Sequence, residues 1–246
     1  MSMQGKRVLI TGGGTGTGAD LARGFSEAGA DVFVAGRRAG PLRAVAVRHD
    51  RIQSVTADVT DEASVAAMFK ASGPVDIVIA NAGAADSAPF AKTSLAQWNA
   101  MLAVNLTGVF LTFREGLKQM GPDGRLIAVA SVAGLRGLAY TAGYTAAKHG
   151  VIGVVRSVAL EVAKKGITCN AICPGFIDTE MTERTIANIV EKTGRTREDA
   201  LATLTATNPQ GRLIRPDEVT AAALWLASDL AGAVNGQAIV LNGGEA

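Results

Sequence analysis

The sequence predicts a doubly wound α/β fold: a seven-stranded parallel sheet with helices on both faces, built as one domain over residues 1–246. Three observations lead there. Short apolar runs alternate with longer helical stretches along the whole chain, and that β-α order favours a parallel sheet. Several of the runs are apolar at consecutive positions, as expected of strands covered on both faces. A glycine-rich segment joins the first run to the first helical stretch. Right-handed crossovers then wind the chain outward in both directions.

The elements follow in order. Strand Val8–Ile10 leads to a helix over 17–29, closed by Gly29. Val32–Ala35 precedes a helix over 39–48, and Ile52–Val55 precedes one over 61–72. Thr60-Asp61-Glu62 opens that third helix with a capping residue and acids in its first turn. Val75–Ala80, a long helix over 95–119 and Leu126–Ala130 come next. A helix over 143–164 ends at Gly166 before Ile167–Cys173. Arg215-Pro216-Asp217-Glu218 opens a helix over 216–228, with Pro near the first helical position, and Ala238–Leu241 is the last strand. Residues 177–215 break the rhythm. A long insertion at a strand's C-terminal end reads as a substrate-covering lid or binding loop. Its Met181, Ile186, Ile189, Val190, Leu201 and Leu204 suggest an apolar pocket lining.

Composition removes several function classes. Lys and Arg number 24 against 22 acids, a net charge of +2 spread along the chain, which gives no nucleic-acid surface. Two His and two Cys barely furnish one zinc site, so no metal is expected. Cys169 and Cys173 lie on one strand, ~13 Å apart at ~3.3 Å per residue, beyond the ~7 Å reach of a disulfide. Buried reduced thiols and a cytoplasmic location fit that spacing. No apolar run reaches the ~18 residues of a membrane span. Lys6-Arg7 is followed by only three apolar residues, too few for a signal-peptide core.

The segment Val8-Leu-Ile-Thr-Gly-Gly-Gly-Thr-Gly-Thr-Gly18 points to a nucleotide. Gly12, Gly16 and Gly18 allow a tight turn and let a diphosphate approach bare backbone at a helix N-terminus. The spacing is Gly-x3-Gly-x-Gly, and no Gly-Lys-Ser/Thr ending follows, so a P-loop is disfavoured. The second strand ends Ala35-Gly36-Arg37-Arg38, without the acid that would bind a ribose 2′-hydroxyl. Arg37 and Arg38 can instead clamp a 2′-phosphate, so NADP(H) is the expected cofactor, with NAD(H) as the open alternative.

Tyr144-Thr-Ala-Ala-Lys148 places a phenol and an ammonium on one helix face. A nearby cation stabilises phenolate and brings the tyrosine pKa, ≈ 10 when free, toward neutrality. Ser131 ends the fifth strand at the edge where α/β sites gather.

These features together resemble the short-chain dehydrogenase/reductase family, in its single-domain type. The similarity covers essentially the whole chain: Thr11-Gly12-x3-Gly16-x-Gly18, Asp58-Val59, Asn81-Ala82-Gly83, Asn105, Ser131, Tyr144-x3-Lys148 and Pro174-Gly175. The resemblance implies a Rossmann-like fold and hydride transfer between a nicotinamide cofactor and a carbonyl or secondary alcohol. It implies Tyr144 as general acid/base and Lys148 as its pKa-lowering partner and ribose ligand. It implies Ser131 as the group orienting the substrate carbonyl, and Asn105 as the holder of a proton-relay water. Asp58 and Val59 would meet adenine, Asn81, Ala82 and Gly83 would let the cofactor pass, and Pro174, Gly175, Ile177 and Thr179 would orient the carboxamide. Thr15 stands where many NADP-dependent members carry Arg or Lys. Thr17 replaces an apolar residue near the diphosphate. The resemblance also implies a homotetramer.

Other residues have blander readings. Tyr140 lines the pocket or simply packs; His149 is structural; His49 is solvated; Arg136 is a surface residue or meets an anionic substrate group; Trp98 packs at the start of its helix. The stretch Cys173-Pro-Gly-Phe-Ile-Asp-Thr-Glu-Met181, with Asn208-Pro-Gln-Gly-Arg212, looks like ketoacyl-thioester and polyketide reductases. That favours a 3-oxoacyl thioester substrate. Cyclic, steroid-like and aryl ketones stay open, as does a cofactor-binding regulator without turnover.

Overall fold

The inner strands form where apolar residues run consecutively, and the edge strand over 52–56 carries Gln53, Ser54 and Thr56. The computed structural model describes residues 1–245; Ala246, the last residue of the expected domain, lies outside the described residues. The strands are β1 (Arg7–Thr11), β2 (Asp31–Gly36), β3 (Ile52–Thr56), β4 (Ile77–Ala80), β5 (Arg125–Val129), β6 (Thr168–Pro174) and β7 (Ala238–Leu241). They pair in the order β3-β2-β1-β4-β5-β6-β7, every pair parallel. This is the doubly wound sheet that the alternating pattern predicts.

Two layers of helix cover it. One is α1 (Gly16–Glu27), α2 (Ala39–Ala46) and α9 (Pro216–Ala227); the other is α3 (Glu62–Ser72), α5 (Gly108–Leu117) and α6 (Ala142–Val162). Strand pleating decides which residue meets which layer. Val8, Ile10, Ile77 and Ile79 join Leu21, Phe25 and Val219 on the first face. Leu9 and Val78 join Phe69, Phe113 and Val151 on the second. Each buried aliphatic or aromatic side chain contributes about 2 kcal/mol. On the first face Gly24 permits a close helix crossing: a Cβ there would lie 2.3 Å from Thr220 Cγ2. Thr220 Oγ1 also donates to Asp20 Oδ2 at 2.6 Å.

Capping agrees with the sequence. The Asp61 side chain accepts from Ser64 N at 2.6 Å, and Gly166 closes its turn with φ +72°. The expected helix over 95–119 is corrected: α4 (Leu95–Leu102) passes through a π-helical turn, Ala103–Thr107, before α5 begins. Hydrophobic periodicity does not register one inserted residue, so the interruption at Asn105 left no apolar signature. The stretch 177–215 folds as α7 (Glu180–Thr193) and α8 (Arg197–Thr205). Its apolar residues are also corrected. Ile186, Ala200 and Leu204 pack with Ile189, Val190 and Leu201 into a small core of their own, and Met181 is left exposed. The helical period of α7 serves its companion helix rather than a pocket.

The winding of the sheet reverses between β1 and β4, which lie side by side and parallel. The buried Thr11 hydroxyl accepts from both Asn81 N and Ala82 N, each at 3.1 Å. Asn81 Nδ2 returns bonds to Thr11 O at 3.0 Å and Gly12 O at 3.3 Å. Two strand ends distant in sequence are thereby locked together. Thr11→Val keeps the shape and orphans two backbone donors, so it is expected to cost about 3 kcal/mol, read as a lower urea midpoint. An unchanged midpoint would show that the lock is dispensable.

Candidate active site

The crevice opens at the carboxyl ends of β1 and β4, the switch point where α/β sheets bind ligands. The turn between β1 and α1 is shaped by missing side chains. Gly12 has φ +68°, and a Cβ there would lie 2.8 Å from Ala82 Cα. A Cβ on Gly18 would lie 2.1 Å from Gly12 O. Gly16, at φ +51°, sits 3.2 Å from Thr179 Cγ2 by the same measure, so the start of α7 rests against the turn. Thr15 is the N-cap of α1, yet its side chain makes no capping bond. Thr17 is buried in the first turn. Bare backbone and the open amides of α1 suit a diphosphate, so these residues fit a dinucleotide.

Around this cradle stand the other expected cofactor residues. Arg37 and Arg38 are both exposed just beyond β2. Asp58 bonds Thr60 N at 2.9 Å and Thr60 Oγ1 at 2.8 Å. Those two bonds, then the Arg37 charge, hold its carboxyl below the usual range. Val59 is buried beside Gly108, where a Cβ would approach to 2.8 Å. Pro174 ends β6, and Gly175 N continues the ladder to Leu241 O at 2.9 Å. Ile177 bridges to Ile214, and Thr179 holds the N-cap position of α7 without a side-chain capping bond.

The four proton-handling candidates converge on the same edge. Ser131 lies two residues past β5, its hydroxyl accepting from Ala133 N at 3.1 Å. Tyr144 and Lys148 occupy successive turns of α6, with Nζ 5.6 Å from the phenol ring centre. Lys148 is 4% exposed, and its Nζ donates to Val129 O at 2.9 Å. One of three ammonium protons is spent there. Asn105 is completely buried in the π-helical turn. Its Nδ2 donates to Ala84 O at 2.9 Å and Met101 O at 3.1 Å, and its Oδ1 accepts from Ala84 N at 3.3 Å. A Cβ on Gly83 would strike that Oδ1 at 2.9 Å, so Gly83 and Asn105 require each other.

Electrostatics depart from expectation in one respect. Burial lowers the Lys148 pKa to about 8 and pushes the Tyr144 phenol above its ordinary value, against a hydrogen bond from Ser131. For the phenol, desolvation outweighs the Ser131 hydrogen bond, and the same burial depresses the neighbouring ammonium. The phenol of the protein alone is therefore an acid waiting to donate.

Beside Tyr144 a small depression is lined by Trp98, Met101 and Tyr140, with Gln97 and Asp86 at its rim. Tyr140 is exposed, at φ +67°, and its carbonyl accepts from Ala88 N at 2.9 Å. Trp98 is half-buried there. His149 is exposed, with Nδ1 2.9 Å from Thr145 O, and His49 is half-exposed. Arg136 is half-buried and pairs with Glu245. Cys169 and Cys173 are buried free thiols, with pKa values pushed up to about 12 and about 11. Met101 and the 84–88 loop were not legible from sequence; only the one-turn offset of Met101 from Asn105 could have flagged them. Among the described residues no helix is long and apolar enough to cross a membrane, and no group of three His, Cys, Asp or Glu could hold a metal ion.

Comparison with known proteins agrees with this geometry. The family model described as enoyl-(acyl carrier protein) reductase matches residues 13–245. A 3-oxoacyl-(acyl-carrier-protein) reductase of Vibrio cholerae is 36% identical, covering 99% of this chain and 98% of the relative. A cis-4-hydroxycyclohexanecarboxylate dehydrogenase of Sinomonas cyclohexanicum is 37% identical, covering 96% and 94%. A solved variant of actinorhodin polyketide ketoreductase with NADPH superposes with a TM-score of 0.92, 34% identity, and 99% and 98% coverage. A glycine cradle at the β1/β4 crevice, a Ser-Tyr-Lys group at its edge and these likenesses have one reading: the chain belongs to the short-chain dehydrogenase/reductase family and is a nicotinamide-dependent oxidoreductase.

Proposed function

We propose that this enzyme reduces the 3-keto group of an acyl thioester with NADPH. The observation that carries the reading is the meeting of Ser131, Tyr144 and Lys148 beside the glycine cradle, with Tyr144 held as a neutral acid. Similarity to a 3-oxoacyl-(acyl-carrier-protein) reductase and to a polyketide ketoreductase supports the substrate class. The NADPH-bound relative and the arginines at 37 and 38 support the cofactor. The free thiols suit a reducing cytoplasm. The family resemblance and the open sheet edge at β7, where Val240 is 44% exposed, support a homotetramer.

When bound, a dihydronicotinamide would supply a hydride to the carbonyl carbon. Ser131 Oγ donates a hydrogen bond to the carbonyl oxygen and aims it at Tyr144. The phenol delivers its proton to the same oxygen as negative charge develops there. Lys148 Nζ stabilises the phenolate left behind and holds the ribose hydroxyls with its free protons. Asn105 fixes the 83–84 segment against the cofactor face and sets the π-helical turn beside the proton path. The cradle of Gly12, Thr15, Gly16, Thr17 and Gly18 takes the diphosphate, with Asp58, Val59, Asn81 and Ala82 around the adenosine half. Pro174, Gly175, Ile177 and Thr179 face the nicotinamide half.

Three outcomes are expected. Tyr144→Phe should lower kcat on a 3-oxoacyl thioester about a thousand-fold while NADPH binding stays within about two-fold. Retained turnover would remove Tyr144 from its role, and a preference for cyclic ketones over thioesters would redirect the substrate class. Replacing Arg37 and Arg38 together by Ala should raise KM for NADPH about thirty-fold and leave that for NADH within about three-fold. Equal loss on both cofactors would reject the phosphate clamp. Lys148 releases its proton near pH 8 in the folded protein but only in the ordinary lysine range when unfolded. Between those values the unfolded chain binds more protons, so stability of the cofactor-free protein should rise with pH. Lys148→Met should abolish that rise and lift Tm at pH 7 by roughly 5 °C. A fall in Tm would mean the ammonium is well solvated.

A further inference from the structure

The C-terminal residues fold back over the site. Beyond β7, Gly243 and Gly244 take φ +69° and +95° and reverse the chain. Asn242 anchors the reversal: its Nδ2 donates to Glu245 O, and its Oδ1 accepts from Gly244 N at 3.2 Å. Asn242 Cβ lies 3.7 Å from the position a Cβ would take on Gly175. Glu245 is carried to the same place, its Oε2 3.9 Å from that position and its side chain 7% exposed. There Arg136 Nη2 pairs with Glu245 Oε1.

Arg136 belongs to the segment that leaves Ser131. Ser131 Oγ caps Ala133 N, Gly134 N donates to Ser131 O at 2.9 Å, and Arg136 N donates to Val132 O at 3.1 Å. The Arg136–Glu245 ion pair therefore joins the segment holding Ser131 to the residues that lie against Gly175. A charged pair with one partner so deeply buried is strongly held, and a small displacement at a reacting centre is costly.

We propose that Glu245 and Arg136 are positioning residues: their ion pair holds the C-terminal tail as a clasp that fixes the spacing between Ser131 and the Pro174-Gly175 segment. The inference rests on the reading of those segments as the substrate-orienting and nicotinamide-facing walls. In this role neither residue needs to touch substrate. Loss of the pair lets the two walls drift apart, so cofactor affinity and turnover fall together.

Glu245→Gln tests this, since it keeps size and neutral hydrogen bonds and removes the charge. NADPH affinity, read by cofactor fluorescence, should weaken about five-fold and kcat should fall about ten-fold, with Tm within about 2 °C. The paired exchange Arg136→Glu with Glu245→Arg should recover at least half of the affinity that Arg136→Glu alone loses. Unchanged binding and turnover in Glu245→Gln would overturn the clasp while leaving the functional reading intact. So would a loss that merely tracks a lowered Tm in both variants. Failure of the unaltered protein to bind NADPH or NADH would remove the functional reading, and the clasp with it.

Discussion

One hydroxyl organises the centre of this molecule. Thr11 Oγ accepts two backbone hydrogen bonds from Asn81 and Ala82, and so ties the end of β1 to the end of β4 at the point where the sheet reverses its winding. The glycine turn begins one residue later and the Asn81-Ala82-Gly83 segment lies directly across from it. Their closeness explains why Gly12 can have no Cβ: it would meet Ala82 Cα at 2.8 Å. The crevice is thus a consequence of how two strands end, held by groups with no chemistry of their own. Two part-buried amides left without a partner would cost about as much as a core side chain contributes.

The second organising feature is the π-helical turn. One inserted residue between α4 and α5 leaves main-chain groups that a regular helix would pair, and the Asn105 amide takes the Met101 carbonyl. The rest of that side chain grips Ala84, two residues after the Asn81-Ala82 lock. A chain of hydrogen bonds therefore runs from Thr11, through the 81–84 segment, to the helix that flanks Tyr144. Such irregular turns recur at functional sites because they aim groups that a regular ladder would bury.

The sheet was legible because strand burial on both faces writes consecutive apolar residues into the sequence, as in Val8-Leu9-Ile10 and Ile77–Ala80. The candidate site residues stand out by their spacing, Tyr144 to Lys148 above all, and the fold brings them to one edge of the sheet. Three things were not legible. The π-helical turn leaves the apolar rhythm of 95–117 intact. The apolar face of α7 marks a helix partner without saying which, and it meets α8 rather than a ligand. The pairing of Arg136 with Glu245 joins residues 109 apart, which no local pattern encodes.

Burial sets the remaining balance. Lys148 is 4% exposed with a single carbonyl, Val129 O, in hydrogen-bond contact, and its pKa falls to about 8. A core chosen only for stability would place an apolar side chain there. The same desolvation holds Tyr144 protonated, which suits donation to a nascent alkoxide. Once the phenol has given up its proton, the ammonium faces an anion in a medium that screens it poorly, and the penalty on both groups turns into mutual stabilisation. In the proposed mechanism the cost is carried in the resting protein and recovered at the moment of proton transfer. On that mechanism a deeply buried lysine, rather than a solvated one at the rim, is the effective partner for this tyrosine.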